Sequence, residues 1–234
     1  MREHVTLTIA TAAIVIAGAM LSAQFQFDPD RVVPGGGVFV SGWTGKIDAS
    51  SVRQGRSLND SKLAQEGGAL HVIAGPATTY WNPANTASGD YTVKATFTEP
   101  RFMELNSHPH SYGIFIGGNA MGTEQMSLVY CVAYGSGEML VRGFSGPSVF
   151  TLVGTSPNAA VHKASAKGKP VTQEIAWRVK GGRAECSING SMVAGYDKAE
   201  LVTAGKLRST DGVFGLRFTH NVEAVITGFG VTKG

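Results

Sequence analysis

The side chains best suited to hold a ligand are aromatic rings placed beside charged or amide groups. Tyr130, Tyr134 and Arg142, with Glu138 close by, form one such set. A saccharide offers apolar C–H faces ringed by hydroxyls. Tyrosine meets both needs with a flat ring and a phenol, and arginine adds donors in a fixed fork. Tyr80-Trp81-Asn82 is a second set, running into Pro83. The plainer alternatives are an ordinary Tyr130–Arg142 cross-strand pair beneath a loop, and core packing of one ring of Tyr80-Trp81. Trp43, which follows Gly42, and Trp177 read as structural.

His108-Pro109-His110 places two imidazoles on one side of an extended chain. Zinc is usually held by three or four ligands. His71 or His220 would have to supply a third, and nothing in the sequence joins either to the pair. A surface loop is expected, and no metal site is assigned. Asn59-Asp60 and Asp211-Gly212 offer oxygen ligands to calcium, and both also read as plain turns. No cofactor is expected apart from that calcium alternative. No catalytic residue is assigned. Glycoside cleavage uses two carboxylates about 5–10 Å apart, and Glu104, Glu124 and Glu138 show no telling spacing. No nucleophile elbow, phosphate-binding glycine loop or nucleotide motif is present.

The elements that must position these groups are short strands. Glu174 to Lys180 alternates apolar and polar, Gly181-Gly182 turns the chain, and Arg183 to Ile188 alternates back. A two-residue loop pairs Val179 with Ala184, Trp177 with Cys186, Ile175 with Ile188, and Arg178 with Glu185. Asn189-Gly190 is a second hairpin signal, and an unbroken return strand pairs Cys186 with Val193. Tyr91 to Thr98 is buried on one face only. Tyr112 to Ile116 and Ser127 to Tyr134 are apolar on both faces. A three-residue loop, Gly135 to Gly137, pairs Cys131 with Val141, Ala133 with Met139 and Tyr130 with Arg142. That register puts the Tyr130, Tyr134 and Arg142 set on the face opposite Cys131, as an open groove. Pro83 to Asp90 and Pro147 to Pro170 read as loops. The pattern predicts an all-β chain, folded as an antiparallel two-sheet β-sandwich.

Glu174-Ile-Ala-Trp-Arg-Val-Lys, Arg183-Ala-Glu-Cys-Ser-Ile-Asn-Gly-Ser, Asp211-Gly-Val-Phe-Gly-Leu-Arg-Phe and Ile226-Thr-Gly-Phe-Gly-Val resemble the end of concanavalin A-like lectin/glucanase domains. The resemblance extends over about Val38 to Lys233. It is strongest to secreted bacterial domains of the 3-keto-disaccharide hydrolase and laminarinase-like kinds. It implies a jelly roll with one concave sheet that holds carbohydrate. The catalytic Glu-x-Asp-x-x-Glu motif of the family-16 glucanases is missing from this chain.

Residues 1–23 read as a signal peptide. Arg2 precedes an uncharged run from Val5 to Met20, and Ala23 or Ala19 offers the small residue at a cut. The alternative is an uncleaved anchor. Residues 24–37 then form an arm, and 38–234 a single sandwich domain. In an exported protein Cys131 and Cys186 suggest a disulfide, the alternative being two buried thiols. The net charge of +3 is spread thinly, so no nucleic-acid partner is expected, and no membrane partner once the signal is removed. The expected function is carbohydrate binding outside the cytoplasm, secreted, periplasmic or at the cell surface. The alternatives are a sugar hydrolase resembling the 3-keto-disaccharide hydrolases and a cell-surface protein-interaction module.

Overall fold

The structure is a computed structural model that describes residues 28–234. The expected signal peptide and the first residues of the arm lie outside the described residues. In chain order the strands are β1 Gly37–Val38, β2 Thr44–Ile47, β3 Lys62–Glu66, β4 Ala69–Ile73, β5 Thr78–Ala87, β6 Tyr91–Glu99, β7 Ser111–Asn119 and β8 Ser127–Tyr134. They continue as β9 Glu138–Ser145, β10 Ser148–Pro157, β11 Val171–Lys180, β12 Arg183–Ile188, β13 Ser191–Asp197, β14 Gly212–Phe218 and β15 Glu223–Lys233. Two single-turn helices, α1 Ala49–Arg53 and α2 Lys198–Leu201, and one 3-10 turn, Leu58–Asp60, complete the regular structure of the described residues.

The strands form two sheets, ordered β1-β3-β4-β15-β6-β11-β12-β13 and β10-β9-β8-β7-β14-β5-β2. Every pairing is antiparallel except the short one between β1 and β3. The all-β, two-sheet jelly-roll reading of the sequence therefore holds. β6 shows how the first sheet faces inward. Tyr91, Val93, Ala95 and Phe97 are buried, and Thr92, Lys94, Thr96 and Thr98 stand on the wet side.

The hairpin registers match the alternation in the sequence. Val179, Trp177, Ile175 and Arg178 face Ala184, Cys186, Ile188 and Glu185. Gly181 and Gly182 both take positive φ, 55° and 83°, as the turn requires. The next strand departs from expectation. Cys186 faces Ala194, because Val193 is the extra residue of a bulge between Cys186 and Ser187. Two presumed loops are also strands in part. β5 continues through Pro83 to Ala87, and β10 occupies Ser148–Pro157 at the edge of the second sheet. β10 carries two register shifts and little apolar alternation, so its sequence resembles a loop.

Between the sheets Trp177, Tyr80, Tyr112, Phe97 and Phe218 are fully buried. Cys131 on β8 and Cys186 on β12 are joined by a disulfide across this interior, with Cα atoms 6.5 Å apart.

One acid ends inside. The inward alternation of β6 runs one residue past its apolar positions, leaving Glu99 only 3% exposed. The Met103 amide donates to Oε1 at 3.4 Å, and Oε2 has no hydrogen-bond partner among the described residues. Burial pushes its pKa up to about 7 from 4.5. Folded protein thus keeps a proton that unfolded chain releases. The group's contribution is fully present below about pH 4.5 and is lost as pH rises through about 7. The shift corresponds to about 3 kcal/mol. His110, with a pKa lowered to about 4 by burial, has the opposite slope. The contribution of Glu99 is therefore read by difference. Urea unfolding of Glu99→Gln against the parent should show the variant gaining about 3 kcal/mol in relative stability between pH 4.5 and 8. A difference independent of pH would mean that Glu99 ionises freely in the folded state.

Candidate functional site

The second sheet is apolar on its outer face as well. Trp81, Phe115, Leu128, Tyr130, Val132 and Leu140 point away from the interior and are nearly sealed. Met121 and Met126, from the segment between β7 and β8, pack on this cluster. A Cβ at Gly122 in the same segment would stand 3.6 Å from the Trp81 ring. The aromatic face is therefore roofed over much of its extent.

Arg217 anchors this face. Leu216 and Phe218 point into the interior, so alternation sends Arg217 outward, where it is 3% exposed. Its guanidinium carbon lies 5.3 Å from the Tyr130 ring centroid and 5.2 Å from that of Phe144. Nη1 donates to Asp48 Oδ1 at 2.7 Å, and Nη2 to Asp48 Oδ2 at 2.6 Å. Nη1 also donates to Thr79 Oγ1 at 3.2 Å. Burial alone would lower the Arg217 pKa, but the charge and hydrogen bonds of Asp48 reverse this and leave it raised. Asp48 is delivered by the end of β2. Its amide donates to the Ala77 carbonyl at 3.0 Å, and α1 starts at the next residue.

Over this anchor lies a cleft of about 410 Å³. Phe144, Asp48, Lys46, Arg53, Glu124 and Val149 are among its lining residues. The Lys46 ammonium donates to the Thr123 carbonyl at 2.8 Å and pairs with Glu124 at 3.1 Å. The cleft thus offers one aromatic surface, cationic donors and carboxylate acceptors. That combination can stack on an apolar sugar face and hydrogen-bond its hydroxyls. Acid–base chemistry fits it less well. Both oxygens of Asp48 accept from Arg217, and Glu124 is 84% exposed beside Lys46.

The residues selected from sequence are distributed differently from expectation. Tyr130 does face away from Cys131 and pairs with Arg142, but it is 4% exposed beneath the Arg217 cation. The open groove expected there is filled. Arg142 is half-buried and donates to Thr151 Oγ1 at 3.1 Å. Tyr134 is half-buried at the far end of β8. Tyr80 lies in the interior, so its ring is not available to a ligand. Trp81 faces outward but is covered. The Asn82 side chain closes a local turn, accepting from the Ala84 amide at 2.9 Å. Trp43 packs on Phe229 at 5.6 Å between centroids, as a structural residue should. Phe144, Asp48 and Arg217 were not selected. The Asp211-Gly-Val-Phe-Gly-Leu-Arg-Phe alternation does place Arg217 outward, but the 169-residue separation from Asp48 hides the pair.

The carboxylates of the calcium candidates accept from backbone amides, one local and one remote in sequence. Asp60 accepts from the Ser57 amide at 2.7 Å, and Asp211 from the Gly89 amide at 3.2 Å. The surface-loop reading of His108-Pro109-His110 needs correction. His110 is 3% exposed, and the pair meets His220 and Asp28 where β14 ends and β7 begins. His71 stands elsewhere, on β4 opposite Ala64.

No family model and no curated protein sequence matches this chain. Solved structures do. A Bacillus subtilis protein of unknown function with a galectin-like fold aligns at a TM-score of 0.54 and 12% identity, covering 82% of this chain and 89% of that one. The endo-beta-1,3-glucanase from Pyrococcus furiosus aligns at 0.50 and 11% identity, covering 82% and 89%. At such identities the likeness establishes the fold alone, a galectin-like two-sheet sandwich.

Proposed function

We propose that this protein is an exported carbohydrate-binding module that takes a saccharide in the cleft beside Phe144. One observation carries the reading. The cleft opens on the outer face of a galectin-like sandwich and combines an aromatic ring with Lys46, Arg53, Asp48 and Glu124. The glucanase that shares the fold acts on a beta-1,3-glucan by its name, so beta-1,3-gluco-oligosaccharides are the first ligands to try. Export is supported by the N-terminal apolar run and agrees with the disulfide. Among the described residues no helix is long and apolar enough to cross a membrane. Residues 38–234 act as one sandwich domain in this reading, with 24–37 as an arm.

Binding, not hydrolysis, is the proposed activity, because both carboxylate oxygens of Asp48 are taken up by guanidinium donors. The test is a glycan array followed by calorimetry. Phe144→Ala should weaken saccharide binding by about 1–3 kcal/mol, as loss of an anchor residue does. Tyr134→Ala, at the other end of β8, should leave affinity unchanged. Loss in Tyr134→Ala alone would place the ligand along β8 instead. Release of reducing sugar by the parent would overturn the non-catalytic reading.

A further inference from the structure

Asp28, His108, His110 and His220 come from three segments remote in sequence, yet their ligand atoms lie within 4.8 Å of one another. The ring centroids of His108 and His110 are 4.3 Å apart, those of His110 and His220 4.1 Å, and those of His108 and His220 6.0 Å. His110 Nε2 is 2.9 Å from Asp28 Oδ2, and His108 Nδ1 is 3.7 Å from the same oxygen. Three imidazoles this close repel one another when protonated. Packed around a carboxylate, they form a ready donor set for a cation.

We propose that these four residues bind one divalent transition-metal ion, zinc(II) fitting best, and that the ion fastens the N-terminal arm to the sandwich. Imidazole nitrogen with one carboxylate oxygen suits zinc, and four protein ligands describe a closed, structural site. Tetrahedral zinc with ligands at about 2.0–2.1 Å sets donor atoms about 3.3 Å apart. The observed cluster therefore has to contract only modestly.

The surroundings are arranged for it. The Asn221 amide donates to Asp28 Oδ1 at 2.9 Å, leaving Oδ2 toward the histidines. Asn221 is itself 1% exposed and held in the left-handed region at φ 53°. Asp30 Oδ1 lies 2.9 Å from His220 Nδ1, but out of hydrogen-bond alignment, so that buried nitrogen has no hydrogen-bond partner among the described residues. Ser51 of α1 donates to the other Asp30 oxygen. Such outer carboxylates and amides orient metal ligands and set which nitrogen faces the ion. The His108 side chain is 54% exposed, which leaves an entry path.

The full chain, carrying no added histidine tag, is stripped with EDTA and titrated with zinc by calorimetry and with cobalt(II) by visible absorbance. One zinc per chain and an intense tetrahedral cobalt band are expected, with a higher Tm in zinc. His108→Ala removes an exposed ring and leaves folding intact, yet it should lower zinc affinity about tenfold or more and abolish the Tm gain. Asp28→Asn and His220→Ala should do the same, and His71→Ala and His162→Ala should change nothing. Undiminished zinc affinity in His108→Ala, or no binding at micromolar zinc, would overturn the site. Neither outcome depends on saccharide binding.

Discussion

Asp48→Ala is expected to destabilise the protein by about 3–5 kcal/mol, the cost of leaving a buried charge without its counter-ion. Arg217 is 3% exposed, and Asp48 is its only ion-pair partner among the described residues. Thr79 and the Tyr130 and Phe144 rings remain after the substitution, but none of them carries charge. The cost should arise from the orphaned cation, not from the lost pair as such. Asp48→Ala combined with Arg217→Met should therefore recover most of the stability, since a methionine can fill the space against the same rings. Guanidinium chloride unfolding of the two variants separates the cases. If Asp48→Ala costs less than about 1 kcal/mol, water reaches Arg217 and the anchor is an exposed pair.

Removing the disulfide is the second large effect. The bridge closes a loop of 55 residues. Restricting an unfolded chain over that length is worth about 4 kcal/mol at 25 °C. The Cys131→Ala, Cys186→Ala double variant should lose about that much in equilibrium unfolding. Reduction of the parent should approach the same midpoint. Both sulfurs sit where the inward faces of β8 and β12 meet, so the variant should still fold in the cold. A loss below about 1 kcal/mol would mean that packing alone sets the distance between the sheets.

Local pattern made the hairpins legible. Trp177, Cys186 and Ile188 share a period of two between turns with fixed loop lengths, and the observed register follows. Periodicity assigns a face but does not say what covers it. Alternation puts Tyr130 on the correct side and leaves an open groove and a covering loop as alternatives, while the Arg217 cation over its ring comes from a distant strand and leaves no local signal. The bulge at Val193 has no local signal, since Val193 and Ala194 are both apolar and both pack against the interior, so either could stand opposite Cys186. The histidine cluster could not be joined from sequence. His110 and His220 are separated by most of the second sheet's chain and become neighbours only because β14 lies beside β7.

The order of strands in the sheets also fixes when the molecule can fold. β15 lies between β4 and β6, and β14 lies between β7 and β5. The last two of the described strands to be made are thus interior strands, one in each sheet. Until they emerge from the ribosome each sheet is two fragments with bare edges, and the interior stays open. Pairing residues such as Leu70 with Ile226 closes very large loops, which places the protein among slow, late-collapsing folders. A nascent chain of this kind remains threadable until β15 is made, and until then its unpaired edges depend on a holding factor or a translocation channel to keep them from one another.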